Sequence, residues 1–209
     1  MKNKEKIKPK GIHIFHIFRT TTERARQLQL WIEKVTFQRT QLLKYKKGTA
    51  TNEFLKKELA KLSEQYQFCI EEMRRVFKVR EYVVENITTT VGRAVSAEVL
   101  AGTYGGATGA VTHTALGDDN TAPAVGQTTL VSETSRKALS DGNTTSATAL
   151  LETFFSTSEA VDTHEEYGFF IDGTVAADSG VMFNRFTEQT VKSNTESMNV
   201  QSSILFSDA

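Results

Sequence analysis

The chain has 209 residues, is 39% hydrophobic, and balances 25 Lys+Arg against 25 Asp+Glu. That length builds one or two domains with a real core, and no apolar run approaches the ~18 residues of a membrane helix. Cys69 is the only cysteine, which excludes an intrachain disulfide and an all-cysteine metal site.

The neutral total hides a division. Residues 1–86 carry a charge balance of +10 and residues 87–209 one of −10. Near Asn86, Lys- and Glu-rich text also gives way to Thr, Ser, Gly and Ala. The organisation expected is a basic N-terminal arm over 1–19, long helices over 20–86 and a β-domain over 87–209. The arm, "MKNKEKIKPK" followed by "GIHIFHIF", is too short and too interrupted by His for a signal segment. His13 and His16 have no acidic or cysteine neighbour to complete a metal site.

Thr20 and Glu23 have the spacing of a capping box, opening a helix on which Leu28, Trp31, Val35, Leu42 and Tyr45 recur at helical intervals. The run 46–53, with Gly48, breaks it. In the next segment Leu55, Leu59, Leu62, Tyr66, Cys69, Met73, Val76, Arg80 and Val83 alternate steps of four and three, a heptad seam. A helix over 53–86 would reach roughly 50 Å at about 1.5 Å per residue. Such a stripe must be covered, either in a helical hairpin or coiled coil within the chain or in an oligomeric stalk. The reading adopted is that Leu55, Leu59, Leu62, Tyr66, Met73 and Val76 form an assembly surface. Arg80 would then lie where the bundle opens, or meet Glu81 or Glu85 of another copy. The Lys and Arg residues are read as solvated helix faces, with DNA contact by this half kept as an alternative.

"TTTVGRAVSAEVLAGT" predicts a short helix with Val91, Val95 and Val99 on one face, ended by Gly102. Beyond it, period-two alternation predicts strands over 110–117, 130–140, 146–156, 166–172, 180–190 and 197–207. In the last, Met198, Val200, Ile204 and Phe206 share one face and Asn199, Gln201 and Ser203 the other. Asp-Gly and Gly-Asn turns separate the strands, as in "SDGNTT". The fold class expected is therefore α+β, an N-terminal helical hairpin or coiled coil followed by an antiparallel β-sandwich with a short leading helix.

Chemistry is hard to find. Asp118-Asp119-Asn120 lacks the glycine and distal glutamate of a calcium loop and is read as a surface turn. "HEEYGFF" has one histidine where a zinc-protease helix has two. "GTYGGATGA" follows a helix instead of linking a strand to a helix N-terminus, and no serine sits in a nucleophile elbow. No enzyme activity, cofactor or metal is expected.

From Ile87 onward the text resembles a family of tailed-bacteriophage structural proteins: tail-fibre, tail-collar and baseplate-associated proteins. The matching pieces are "ITTTVGRAVSAEVLAGT", the strand ending Ala-Leu-Gly in "VTHTALGDDNTAPAVGQTTL", and "LVSETSRKAL" with Leu130, Glu133, Arg136 and Lys137. "EEYGFFIDG" follows, with Glu166, Gly168 and Phe169, and then "MFNRFTEQTVKSNTESMNVQSSILFS" with Arg185. The resemblance implies a non-catalytic virion component of the tail, baseplate or collar, made in the host cytoplasm. It would assemble with itself, a trimer in first place, and with other virion proteins. A receptor-binding adhesin module and a head-proximal connector contacting DNA are the alternatives. Glu133 and Arg136, three apart on a strand, are expected on opposite faces and so not paired to each other. Arg136 or Arg185 is expected to pair with Glu166.

Overall fold

The structure, a computed structural model, describes residues 10–45 and 53–206. It is α+β, with three helices and two five-stranded antiparallel sheets. The expected break over 46–53 falls, except for its last residue, outside the described residues.

The arm contains a strand. β1, Lys10–Arg19, lies inside the first sheet between β2, Lys78–Glu85, and β10, Glu196–Leu205. β7, Thr148–Phe155, and β6, Asp141–Thr145, complete that sheet in the order β2-β1-β10-β7-β6. "GIHIFHIF" makes an interior strand because both its faces are covered, so its text is nearly continuous apolar residues instead of an alternation. Phe15 and Ile17 join one cluster and Phe18 another. The second sheet has the order β3-β9-β8-β4-β5, with β3 Ile87–Thr88, β9 Val181–Val191, β8 Thr163–Ile171, β4 Val111–Gly117 and β5 Glu133–Ala138. All six strands expected in the second half are present; the stretch 141–145, expected as an Asp-Gly turn, is instead the edge strand β6, because it pairs along β7.

One cluster draws on both sheets. Phe15, Ile17, Phe155, Met198 and Val200 come from the first, and Leu116, Tyr167, Phe169 and Phe186 from the second. The Thr114 and Thr153 hydroxyls bond across at 2.7 Å, satisfying two polar groups that burial would otherwise penalise.

The helices over 20–86 differ from expectation in three ways. α1, Glu23–Tyr45, is capped by Thr22, whose hydroxyl accepts from the Ala25 N–H, and not by Thr20, whose hydroxyl meets Ser197. α2, Glu53–Phe77, stops nine residues early, because Tyr82, Val83 and Val84 belong to β2 and pair along β1. The seam therefore ends at Val76, which is exposed, and Val83 is a solvent-facing strand residue. Arg80 has a carboxylate within its own chain: its guanidinium donates to Glu196 at 3.0 Å and to the Val191 carbonyl.

α3, Thr90–Ala101, follows expectation. Thr89 caps its start, and Gly102, at φ 69°, ends it in the left-handed region. Val95 is buried, while Val99 is exposed. Gly92 is needed because a Cβ there would fall 2.5 Å from the Phe183 carbonyl oxygen.

His13 is buried between the sheets, stacked on Phe186 at 3.8 Å and on Phe169 at 5.5 Å. Burial holds its imidazole down to about 3, from an ordinary 6.5. The unfolded chain thus takes up this proton first, and folding stability falls as pH drops from 6.5 towards 3, by at most about 1.4 kcal/mol per pH unit. His16, held down to about 4 mainly by burial, adds a loss of the same sign. His13→Phe should remove the first loss and keep the stacking. Urea midpoints at about pH 7.5 and about pH 4.5 should then fall less in the variant than in the parent chain; equal falls would refute this account of His13.

Candidate functional site

Among the described residues, the helical hairpin is the largest element outside the two sheets, with both an inner and an outer face to explain. Its inner face packs on the first sheet. Ile32 and Val35 of α1 and Leu62, Tyr66, Cys69, Ile70 and Met73 of α2 cluster with Phe18 of β1 and Phe154 of β7. So Leu62, Tyr66 and Met73 of the expected assembly seam are buried against their own chain. Leu55 and Leu59 are half-buried, and Val76 is exposed.

A polar network ties this face down. Arg39 lies 3.2 Å from Asp141 and donates to the Gly142 carbonyl at 3.0 Å. Ser63 donates to Asp141 at 2.7 Å, and Gln67 reaches both Asp141 (3.2 Å) and Glu152 (2.7 Å). Asn199 donates to the other Glu152 oxygen at 2.8 Å and accepts from the Tyr66 hydroxyl at 2.9 Å. Asp141 and Glu152 are cross-strand neighbours, both buried. Burial pushes the Glu152 carboxyl above the usual carboxylate range against the amide hydrogen bonds from Gln67 and Asn199. Burial likewise drives the Tyr66 hydroxyl well above its ordinary value.

These residues were missed in the sequence. Asp141 stands in a turn-like "SDGNTT", and Glu152 and Asn199 occupy strand faces that alternation assigns to solvent. The available signal was Phe154, which shares the face of Glu152 and has no place on a wet surface.

The outer face is different. Trp31 is 47% exposed, and Phe37 and Phe68 are each 64% exposed. Trp31 lies between two grooves running along the hairpin, of about 480 and 550 Å³. The first is flanked by Lys34 and Gln38 of α1 and Glu58 and Lys61 of α2, the second by Arg24 and Glu64. Trp31, expected on the seam of the first helix, is instead turned outward, and Lys34 lies over its ring at 5.3 Å.

Glu166, Arg185, Glu133 and Arg136 form two carboxylate–guanidinium pairs in the second sheet. Arg185 of β9 lies 2.8 Å from Glu166 of β8, both fully buried. Each group has further partners: Arg185 donates to the Thr121 carbonyl and Gln127, and Glu166 accepts the Val131 and Ser132 N–H groups at 3.0 and 2.7 Å. The pair thereby anchors the 118–132 connection from both ends. Within that connection Asp119 accepts from the Thr121 N–H at 2.7 Å, the geometry of a turn. Among the described residues no group of His, Cys, Asp and Glu could hold a metal, and no helix there is long and apolar enough to cross a membrane.

Glu133 and Arg136 contradict the expectation that they stay apart. They form a two-pronged pair at 2.7 and 2.6 Å. The register slips in β5, where Gly117 faces Glu133 but Leu116 faces Ser135, so Thr134 is an extra residue. A bulge of one residue reverses the alternation and brings positions three apart onto one face. Arg136 also lies over the Phe170 ring at 4.0 Å and donates to the Ser179 carbonyl.

Compared with protein families, curated proteins and solved structures, the chain matches none.

Glu166→Gln keeps the shape at this position but leaves Arg185 as a buried charge without its counter-ion. Breaking one side of a buried pair costs about 3–5 kcal/mol, so denaturant unfolding should register a loss of that order. A loss below about 1 kcal/mol would show that the pair does not hold the connection.

Proposed function

We propose that this chain is a non-enzymatic structural protein of a tailed bacteriophage, a component of the tail, baseplate or collar that works by assembly. In this reading the two sheets form a β-sandwich that serves as a rigid body, and the hairpin is its docking element.

One observation supports the reading above the others: the residues on which the resemblance rests have architectural work in this structure. Glu166 and Arg185 clamp the 118–132 connection, and Glu133 pairs with Arg136 on the adjoining strand. Leu130 packs with Phe170 and Met182. Gly168 admits them, since a Cβ there would meet Phe170 at 3.0 Å and Leu130 at 3.1 Å. A signature made of clamps and packing positions suits a protein selected for shape and attachment. The outward aromatic face of the hairpin gives such a body a place to attach.

Mass spectrometry of purified particles of the encoding phage tests this. Peptides of this chain should be present in several copies per particle, in constant ratio to the known tail proteins. Their absence from purified particles, with the protein abundant in the infected cell, would overturn the proposal.

A further inference from the structure

We infer that docking the hairpin on the first sheet takes up one proton at the Asp141–Glu152 pair, so that this joint strengthens in mild acid and weakens as pH rises.

The charge count under the hairpin does not balance. Asp141 and Glu152 stand opposite each other on β6 and β7, so their side chains share one face, and each is buried. The Gln67 amide nitrogen reaches both, at 3.2 and 2.7 Å, which keeps the two carboxyl groups side by side. Among the described residues one cation lies within ion-pair distance of them, Arg39, 3.2 Å from Asp141. Two carboxylates against one guanidinium leave a net negative charge sealed from solvent. Two like charges in one site favour protonation of one of them.

Glu152 is the group that takes the proton. Its hydrogen-bond partners are the neutral amides of Gln67 and Asn199, whereas Asp141 has Arg39 and the Ser63 hydroxyl as well. Burial raises the Glu152 carboxyl above its ordinary value and the Asp141 charge raises it further, against Gln67, Asn199 and the through-space effect of Arg74.

The neighbouring groups do not restore the balance. On α2, Tyr66 donates its hydroxyl to Asn199 and burial keeps it protonated, while burial pushes the Cys69 thiol up to about 11. On β1, His16 stands opposite Asn199, lies 2.9 Å from Glu81 and is held down to about 4, mainly by burial. From β10 and β6 the face receives Asn199, Gln201 and Asn143, all uncharged.

The sign of the effect follows. A glutamate whose folded value lies above its unfolded one binds a proton on folding. The stabilisation is complete below the ordinary 4.5 and is lost as pH rises through the raised value. This runs opposite to His13 and His16, whose burial costs stability as pH drops.

The test compares the full parent chain with Glu152→Gln, which keeps the shape and carries no charge at any pH. Urea unfolding of both from about pH 4.5 to about pH 8 gives the ratio of their folding constants. The variant should gain on the parent as pH rises, by up to about tenfold per pH unit, the ceiling for one proton. A constant ratio, or one that drifts in the parent's favour, would overturn the inference. If Glu152→Gln does not fold, the parent alone decides. Infrared spectra with isotope-labelled glutamate side chains should show one protonated carboxyl band that persists above the ordinary 4.5. A spectrum in which no glutamate titrates above that value would equally overturn it.

Discussion

β1 is the constraint on which the rest of the structure depends. It is hydrogen-bonded to β2 on one side and β10 on the other, so the N-terminal segment joins the strand that leaves the hairpin to a strand near the C-terminus. It is also buried on both faces. Phe15 and Ile17 enter the cluster shared with the second sheet, while Phe18 enters the cluster under the hairpin. An interior strand with two apolar faces must be covered on both sides, and the hairpin is the second cover. The helices are thereby fixed as a layer on the sheet, and α2 must end where β2 begins pairing with β1.

The hairpin's grip on that sheet mixes two kinds of interaction with different consequences. The apolar part, around Tyr66, Ile70, Met73 and Phe154, is non-directional and would tolerate small sliding. The polar part is not: Asp141, Glu152 and Asn199 are each bonded to a specific residue of the hairpin, and a shift of one position would strand buried carboxylates without donors. The network sets the register of helices on sheet, with Arg39 the cation bound directly to it. A fixed register in turn determines which stripe of α1 and α2 faces outward, and so the exposure of Trp31, Phe37 and Phe68.

Much of the second half was legible because its strands obey local rules. Alternation located β4, β5 and β7 to β10, while β6 was hidden behind the turn chemistry of Asp141-Gly142; Thr89 with Gly102 bounds α3 by ordinary capping chemistry. The first half misled for identifiable reasons. Steps of three and four through Val76, Arg80 and Val83 mimic a heptad seam, yet the β-branched run from Val79 to Val84 favours a strand, and a partner distant in sequence, β1, decides the matter. "GIHIFHIF" carries no alternation because both its faces are buried. Glu133 and Arg136 were misplaced by a single bulge, which reverses the parity of every residue beyond it and has no signature in a Thr-Ser stretch. Of the two arginines expected as partners of Glu166, the structure pairs Arg185, which lies on the neighbouring strand, while Arg136 pairs with Glu133.

The central claim is that hairpin and sheets form one cooperative body, with the hairpin docked inward on its own sheet and not free as a stalk. Native-state hydrogen exchange on the full chain tests it most directly. Amides in the middle of α2, around Tyr66 and Ile70, should exchange only with the same global unfolding free energy as amides of β10 around Asn199 and Val200, and with the same denaturant dependence. Helix amides that open at markedly lower free energy, while β10 stays protected, would contradict it and restore a separable helical stalk.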